Sequence, residues 1–416
     1  MTDMNTTPKA NRYTIGLFGK RNSGKSSLIN AITGQNIAVT SEIPGTTTDP
    51  VYKAMELLPF GPVMLIDTAG LDDVGELGKL RTEKTYEVLR KCNLALVVVD
   101  IHIGITEFET EFIKQLKRRR IPCICVINKS DRDISEDLKT ISTDDIPAVH
   151  VSAVTGFGIE KLKNVIVENS NFEDVEPALV SDLICPGDLL VLVTPIDKSA
   201  PKGRLILPQQ QTIRDIIEKD AIALVTKEQK LKHVLGGLKI PPAMVITDSQ
   251  AFKKVASDTP TEIPMTSFSI LFARQKGDLA EMVRGIQQIK RLASGDKVLI
   301  VEGCTHQCQA DDIGKVKIPG WIRGIAGDDI QFDFVSGAHF MEDLSEYALI
   351  VHCGGCMLNR REMLYRVEKA REQGVYITNY GVLIAYVMGI LKRAIKPFPE
   401  ASAVLEESNK NNEKEE

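Results

Sequence analysis

The chain has 416 residues, 43% hydrophobic and 26% charged, with a formal net charge of 51 − 56 = −5. These proportions exclude disordered, collagenous and coiled-coil chains, and the length predicts two or three domains. The acidic balance argues against nucleic acid as the main partner, and no run approaches the roughly 18 uninterrupted apolar residues of a membrane span. The first twenty residues are polar without an apolar core, which predicts a cytoplasmic protein. Eight cysteines are too few for a disulfide framework, and clustered ones point to metal or redox chemistry.

From residue 12 to about 168, short β-branched runs alternate with helical patterns, the rhythm of a parallel sheet wrapped by helices. The runs 13–18, 63–66, 94–99, 123–127 and 148–151 are apolar without alternation, as strands covered on both faces require. The acidic stretch 168–176 reads as a linker. A second βαβ unit has strands at 189–193, 221–225 and 243–246 and helices at 212–219 and 227–235. The Pro-rich segment 259–264 marks the next boundary. In a third unit, 267–272, 297–301, 330–334 and 347–352 read as strands, and 278–292 and 359–373 as helices. The apolar stretch 381–391 is too short for a membrane span and reads as a buried helix. The charged tail 406–416 is expected to be disordered.

The first strand runs into Gly19-Lys-Arg-Asn-Ser-Gly-Lys-Ser26, a phosphate-cradling loop. Its glycines let backbone N–H groups surround phosphate oxygens, Lys25 supplies a charge to the β/γ-phosphates, and Ser26 can ligate Mg2+. Asn22, Ser23, Gly24 and Ser27 complete the cradle, and the following helix adds its positive N-terminus. Asp67-Thr-Ala-Gly70 closes another strand: Asp67 can hold Mg2+ through water, and Gly70 can offer an N–H to the γ-phosphate. Asn128-Lys-Ser-Asp131 follows a third strand, where Asp131 can accept both guanine N1 and N2 protons and so select GTP. Ser152-Ala153, after the strand at 148–151, adds a weaker signal. Together these motifs resemble the TrmE–Era–EngA branch of the translation-factor GTPases. By that resemblance Pro44-Gly-Thr-Thr-Thr-Asp49 is switch I, with Thr47 or Thr46 touching magnesium, and Asn22 stands where potassium-activated members carry a K+ ligand. Leu71 occupies the place of the water-orienting glutamine of Ras-like enzymes, so unaided hydrolysis should be slow. No catalytic residue is assigned; Asp73 and Glu76 read as solvated charges.

Two cysteine-bearing segments close strands of the third unit: Cys304-Thr-His306-Gln-Cys308 and His352-Cys-Gly-Gly-Cys356. In a parallel sheet the C-terminal strand ends share one edge, so loops 49 positions apart (304 to 353) can converge there. Asn359 with Glu362 has the character of a capping box opening the next helix. By residue type alone an iron–sulfur cluster and a Cys₃His zinc site at Cys304, His306, Cys353 and Cys356 are equally supported. Cys92, Cys123, Cys125 and Cys185 read as core or unremarkable thiols.

A TrmE–Era-type GTPase, a small middle α/β unit and a Cys-x-His…His-Cys-x-x-Cys pattern in one chain resemble the HydF family, the maturation GTPases of iron–iron hydrogenases. The resemblance covers nearly the whole chain. It implies an α/β fold with a P-loop GTPase domain (1–170), a small α/β dimerisation domain (180–262), an α/β domain whose parallel sheet carries an iron–sulfur cluster (265–397), and a disordered tail (404–416). It further implies a 4Fe–4S cluster on Cys304, Cys353 and Cys356 with one iron open, His306 and His352 being exchangeable ligands or neighbours of the cluster. The implied function is a scaffold that receives a two-iron precursor made with two radical-SAM maturases and delivers it to the hydrogenase, as a homodimer. The competing expectation is a regulatory Era-like GTPase with a structural zinc site and no assembly role.

Overall fold

A computed structural model of the chain describes residues 12–34, 50–59, 61–68, 76–131, 146–170, 177–195, 205–303, 312–337 and 340–415. Two compact units divide it, 1–175 and 176–416. No described helix is long and apolar enough to cross a membrane.

The first unit is built on β1 (Tyr13–Phe18), β2 (Val51–Leu57), β3 (Gly61–Asp67), β4 (Leu94–Asp100), β5 (Cys123–Asn128) and β6 (Ala148–His150), in sheet order β2-β3-β1-β4-β5-β6. Every pairing is parallel except β2–β3. Alternate residues of one strand feed opposite cores: Leu94, Leu96 and Val98 pack with Leu28, Ile32 and Leu162, whereas Ala95, Val97 and Val99 pack with Leu89, Phe112 and Leu116. Helices therefore cover both faces, which explains the unbroken apolar runs. The antiparallel strand β2 is absent from the sequence reading, because its exposure alternates and it lies at an edge.

The second unit contains two four-stranded parallel sheets. β7 (Leu189–Val193), β8 (Ile222–Thr226), β9 (Met244–Thr247) and β10 (Met265–Ser267) pair in the order β10-β9-β7-β8. β11 (Lys297–Glu302), β12 (Gln331–Ser336), β13 (Tyr347–His352) and β14 (Tyr376–Asn379) pair in the order β12-β11-β13-β14. One hydrophobic core runs through both sheets, from Leu179 to Leu405.

Three sequence expectations need correction here. The expected strand at 267–272 is the end of β10 followed by the helix Phe268–Lys276, capped by Ser267 Oγ, which accepts the Ile270 N–H at 3.2 Å. The helix is buried nearly all round, so its apolar run carries no period that separates helix from strand. The tail expected to be disordered belongs to the helix Pro399–Glu415; Ala401 and Leu405 of its first turns are buried in the core, and proline suits its opening position. The apolar stretch 381–391 is buried as expected, but forms two helices, Tyr380–Val387 and Leu391–Ile395.

The helix Leu279–Ile286 lies so close to β14 that a Cβ built on Gly285 would stand 2.0 Å from the Ile377 carbonyl oxygen. Backbone cannot yield as a side-chain tip can. Alanine normally improves a helix interior by up to ~1 kcal/mol over glycine, yet Gly285→Ala should destabilise this unit by about 1–3 kcal/mol through overpacking. Urea unfolding checks this; an unchanged or raised midpoint would refute the close-approach argument.

Candidate functional site

The nucleotide site lies where β1, β3 and β5 end. After β1 the loop 19–24 leads into the helix Lys25–Thr33, whose buried face is Leu28, Ile29 and Ile32. Gly24 has φ +90°, and a Cβ there would stand 2.3 Å from Asn128 Nδ2, so both conformation and space demand glycine. Asn22 holds a positive φ of 60°, which asparagine tolerates, and is exposed. Lys25 Nζ donates to the carbonyls of Gly19 (2.9 Å) and Lys20 (2.8 Å).

Ser26 Oγ donates to Asp67 Oδ2 at 2.5 Å, bringing together the two residues expected at magnesium. Burial raises the Asp67 pKa against the opposing pull of Ser26 and Lys25, and its Oδ1 is buried without a hydrogen-bond partner. A desolvated carboxylate with an orphaned oxygen beside a serine hydroxyl suits a divalent cation. Ser23 Oγ is likewise buried and unpartnered at the phosphate loop.

Asn128 does more than the sequence reading gave it. Its Nδ2 donates to the Ser23 carbonyl at 2.9 Å, and its Oδ1 accepts the Ala153 N–H at 3.1 Å. One buried amide thus ties the phosphate loop to the base-side segment Ser152-Ala153. Lys129, at φ 65°, sends Nζ to Asp100 Oδ2 at 2.6 Å. Burial would raise the Asp100 pKa, but hydrogen bonds from Lys129 and the His102 N–H hold it below the usual carboxylate value. Asp131 is exposed at the end of this loop. Gly19, Ser27 and Ser152 also stand on this rim; Thr46, Thr47, Gly70, Leu71 and Asp73 lie outside the described residues.

In the second unit, register brings three strand ends side by side: Val301 of β11 pairs His352 of β13, which pairs Asn379 of β14. Cys353 N–H continues that ladder to the Val301 carbonyl at 2.8 Å. The N–H of Gly303, which directly precedes Cys304, donates to Cys353 Sγ at 3.1 Å, and the Gly355 N–H reaches the same sulfur at 3.4 Å. Cys353 and Cys356 are both half-buried. Amide donors aimed at a sulfur favour its thiolate form, the form that binds metal. Cys304, His306 and Cys308 lie outside the described residues, among which no group of three metal-binding side chains is found.

His352 is fully buried. Its Nε2 stands 3.1 Å from Arg366 Nη1 and its Nδ1 2.8 Å from the Cys353 carbonyl. Arginine only donates, so Nε2 accepts and Nδ1 carries the proton. Burial first, and the Arg366 charge second, push its pKa down to about 3. Both ring nitrogens are engaged, Nδ1 in holding the Cys353 backbone and Nε2 in accepting from Arg366. Arg366 spends the rest of its fork on Glu362 Oε1 (3.0 Å) and the Gly337 carbonyl (3.2 Å). Asn359 caps the helix Arg360–Glu372 by accepting the Glu362 N–H at 3.0 Å, while the Glu362 carboxylate turns to Arg366. The Glu362–Arg366 pair escaped the sequence reading. Its signal was present: two opposite charges spaced i,i+4 on the face that carries Met363, Val367 and Ala370. Of the remaining thiols, Cys92, Cys123 and Cys125 are buried, with burial lifting the Cys125 pKa to about 12, whereas Cys185 is exposed.

Comparison with known proteins follows this division. Residues 14–129 match the family described as 50S ribosome-binding GTPase. Residues 179–277 match the hydrogen maturase F dimerization domain, and residues 280–397 the hydrogen maturase F tetramerization domain. The chain belongs to the hydrogen maturase F family. Its first unit is a P-loop GTPase domain that binds GTP. Among curated relatives, the tRNA modification GTPase MnmE of Nitrosomonas europaea is 33% identical over 160 residues, 38% of this chain and 35% of that protein. MnmE of Thermoanaerobacter sp. is 39% identical over 154 residues, 36% of this chain and 33% of that protein. The chain thus spans about a third of the length of the curated relatives it matches. Among solved structures, Aquifex aeolicus Era is 19% identical, with a TM-score of 0.35 over 51% of this chain and 93% of Era.

Asn128→Ala would leave the Ser23 carbonyl and Ala153 N–H without their buried partner, a loss of about 1–3 kcal/mol. GTP affinity should fall roughly 10- to 100-fold. Titration with a fluorescent GTP analogue measures this, and affinity within twofold of the parent would rule out the clamp.

Proposed function

We propose that this hydrogen maturase F protein is a slow GTP-hydrolysing scaffold that carries a 4Fe–4S cluster on Cys304, Cys353 and Cys356. It uses that group to hold a two-iron precursor, assembled with two radical-SAM maturases, and to deliver it to iron–iron hydrogenase. The single observation that supports this most is the Gly303 N–H donated to Cys353 Sγ, since Gly303 adjoins Cys304 at the edge where Cys353 and Cys356 emerge. When bound, a cluster with three thiolates supplies one iron free to take a bridging ligand. His352 is assigned to orienting the Cys353 backbone, with His306 left as the candidate exchangeable ligand.

On the GTPase side, Ser26, Asp67 and Thr47 are assigned to Mg2+ and Lys25 to the phosphates. Slow turnover is attributed to Leu71 in place of a water-orienting glutamine. Asn22 is proposed to ligate K+. Turnover should therefore be faster in potassium than in sodium at equal ionic strength, and equal rates would remove that assignment. Because two segments match oligomerisation domains, the chain is proposed to form a homodimer through 179–277 and larger assemblies through 280–397.

The deciding experiment is anaerobic purification with iron, sulfide and zinc analysis. About four irons and four sulfides per chain are expected. Cys353→Ser should abolish them while GTP turnover stays within about twofold of the parent, because the two sites lie in separate units. Colourless protein holding one zinc would instead favour a structural zinc site, and parallel loss of GTP turnover would refute separable sites.

A further inference from the structure

A buried ammonium stands behind the Cys-x-x-Cys loop. Lys276 ends the helix Phe268–Lys276 and is 2% exposed. Its Nζ donates to the carbonyls of Cys356 at 3.1 Å and Leu358 at 2.7 Å, and lies 5.4 Å from the Phe272 ring centroid. In return Arg360, which opens the helix after the loop, donates to the carbonyl of Gln275, the neighbour of Lys276. Three hydrogen bonds therefore lash the loop 356–360 to the end of that helix.

The helix itself follows directly from β10, the last strand of the other sheet. Lys276 falls within the segment matched as the dimerization domain, whereas Cys353 and Cys356 fall within the next one. The lysine is thus carried to the cysteine loop by packing between the two sheets.

Burying an ammonium is costly, and the cost is offset best where negative charge collects. Arg366, ion-paired with Glu362, acts on Cys353 one step removed, through His352. Of the two buried cations near the loop, Lys276 is the one in direct contact with a cysteine backbone.

We propose that Lys276 is a positioning and charge-compensating residue of the metallocluster site, holding the Cys356–Leu358 turn and stabilising the reduced, more negative form of the bound cluster. This rests on the cluster reading above. A thiolate-bound cluster gains one negative charge when it takes up one electron, so a fixed cation favours the reduced state more than the oxidised one. Lys276 is a donor to the loop backbone and needs no place among the ligands.

The test uses the full-length chain reconstituted anaerobically with iron and sulfide, as parent, Lys276→Met and Lys276→Arg. Dithionite supplies the electron in a dye-mediated titration, and electron paramagnetic resonance follows the reduced cluster. Lys276→Met should hold as much iron and sulfide as the parent, while its equilibrium constant for reduction falls about tenfold, or 59 mV toward negative potential for one electron. Lys276→Arg should stay near the parent, and both variants should keep the parent's GTP turnover.

A fully loaded Lys276→Met with the parent's potential would overturn the proposal. If Lys276→Met does not load, the arginine variant decides. Loading at the parent's potential supports a role for charge, and natively folded Lys276→Arg that takes up no cluster overturns it. A parent chain that binds no iron and sulfide would instead defeat the cluster reading itself.

Discussion

The parallel alignment of β11, β13 and β14 is the constraint from which the cysteine site follows. Register pairs Val301 with His352 and His352 with Asn379, so the three chains leave the sheet at one level. Glu302, Cys353 and Tyr380 then follow at the next level without any loop having to span the sheet. Parallel strands present all their carboxyl ends on one edge, where backbone donors and helix starts collect. Asn379 shows the economy of this edge: its Oδ1 caps the helix Tyr380–Val387 at the Gly381 N–H while its Nδ2 reaches the Cys353 carbonyl.

The nucleotide site uses the same geometry. There, β1 delivers the phosphate loop, β3 delivers Asp67 and β5 delivers Asn128, with the parallel β1–β3 register bringing Leu17 level with Asp67. Its groups are mostly backbone amides plus one carboxylate, as phosphate and magnesium require. The cysteine site instead has sulfur in front and buried cations behind. Charge sign therefore separates two sites that share one architectural rule. The first collects donors for an anion and a carboxylate for a cation, while the second places Lys276 against the Cys356 backbone and Arg366 against His352.

The Arg366 network illustrates why such polar groups survive in a core. A buried ion pair is a poor source of net stability compared with apolar packing. Here the pair also fixes a histidine tautomer, because a guanidinium can only donate, and the tautomer in turn fixes the Cys353 carbonyl. Its contribution is orientation of the loop that carries Cys353 and Cys356.

Much of this was legible in the residues. The strands Tyr13–Phe18, Leu189–Val193 and Tyr347–His352 were readable to the residue because apolar runs covered on both faces are local facts. The phosphate loop, Asp67, Asn128 and the Cys-x-x-Cys pair were legible because each follows such a run. The helix Phe268–Lys276 was not, since burial nearly all round erases its period, nor was β2, which among the described residues is an edge strand paired with β3. Lys276 and Arg366 were also out of reach as partners of the cysteines, being 80 residues from Cys356 and 14 from His352. The order of residue types determined which chemistry the chain can offer. Only the packing of two sheets on one core decided which charges stand behind that chemistry, because burial and Coulomb forces act through space and leave no trace in spacing along the chain.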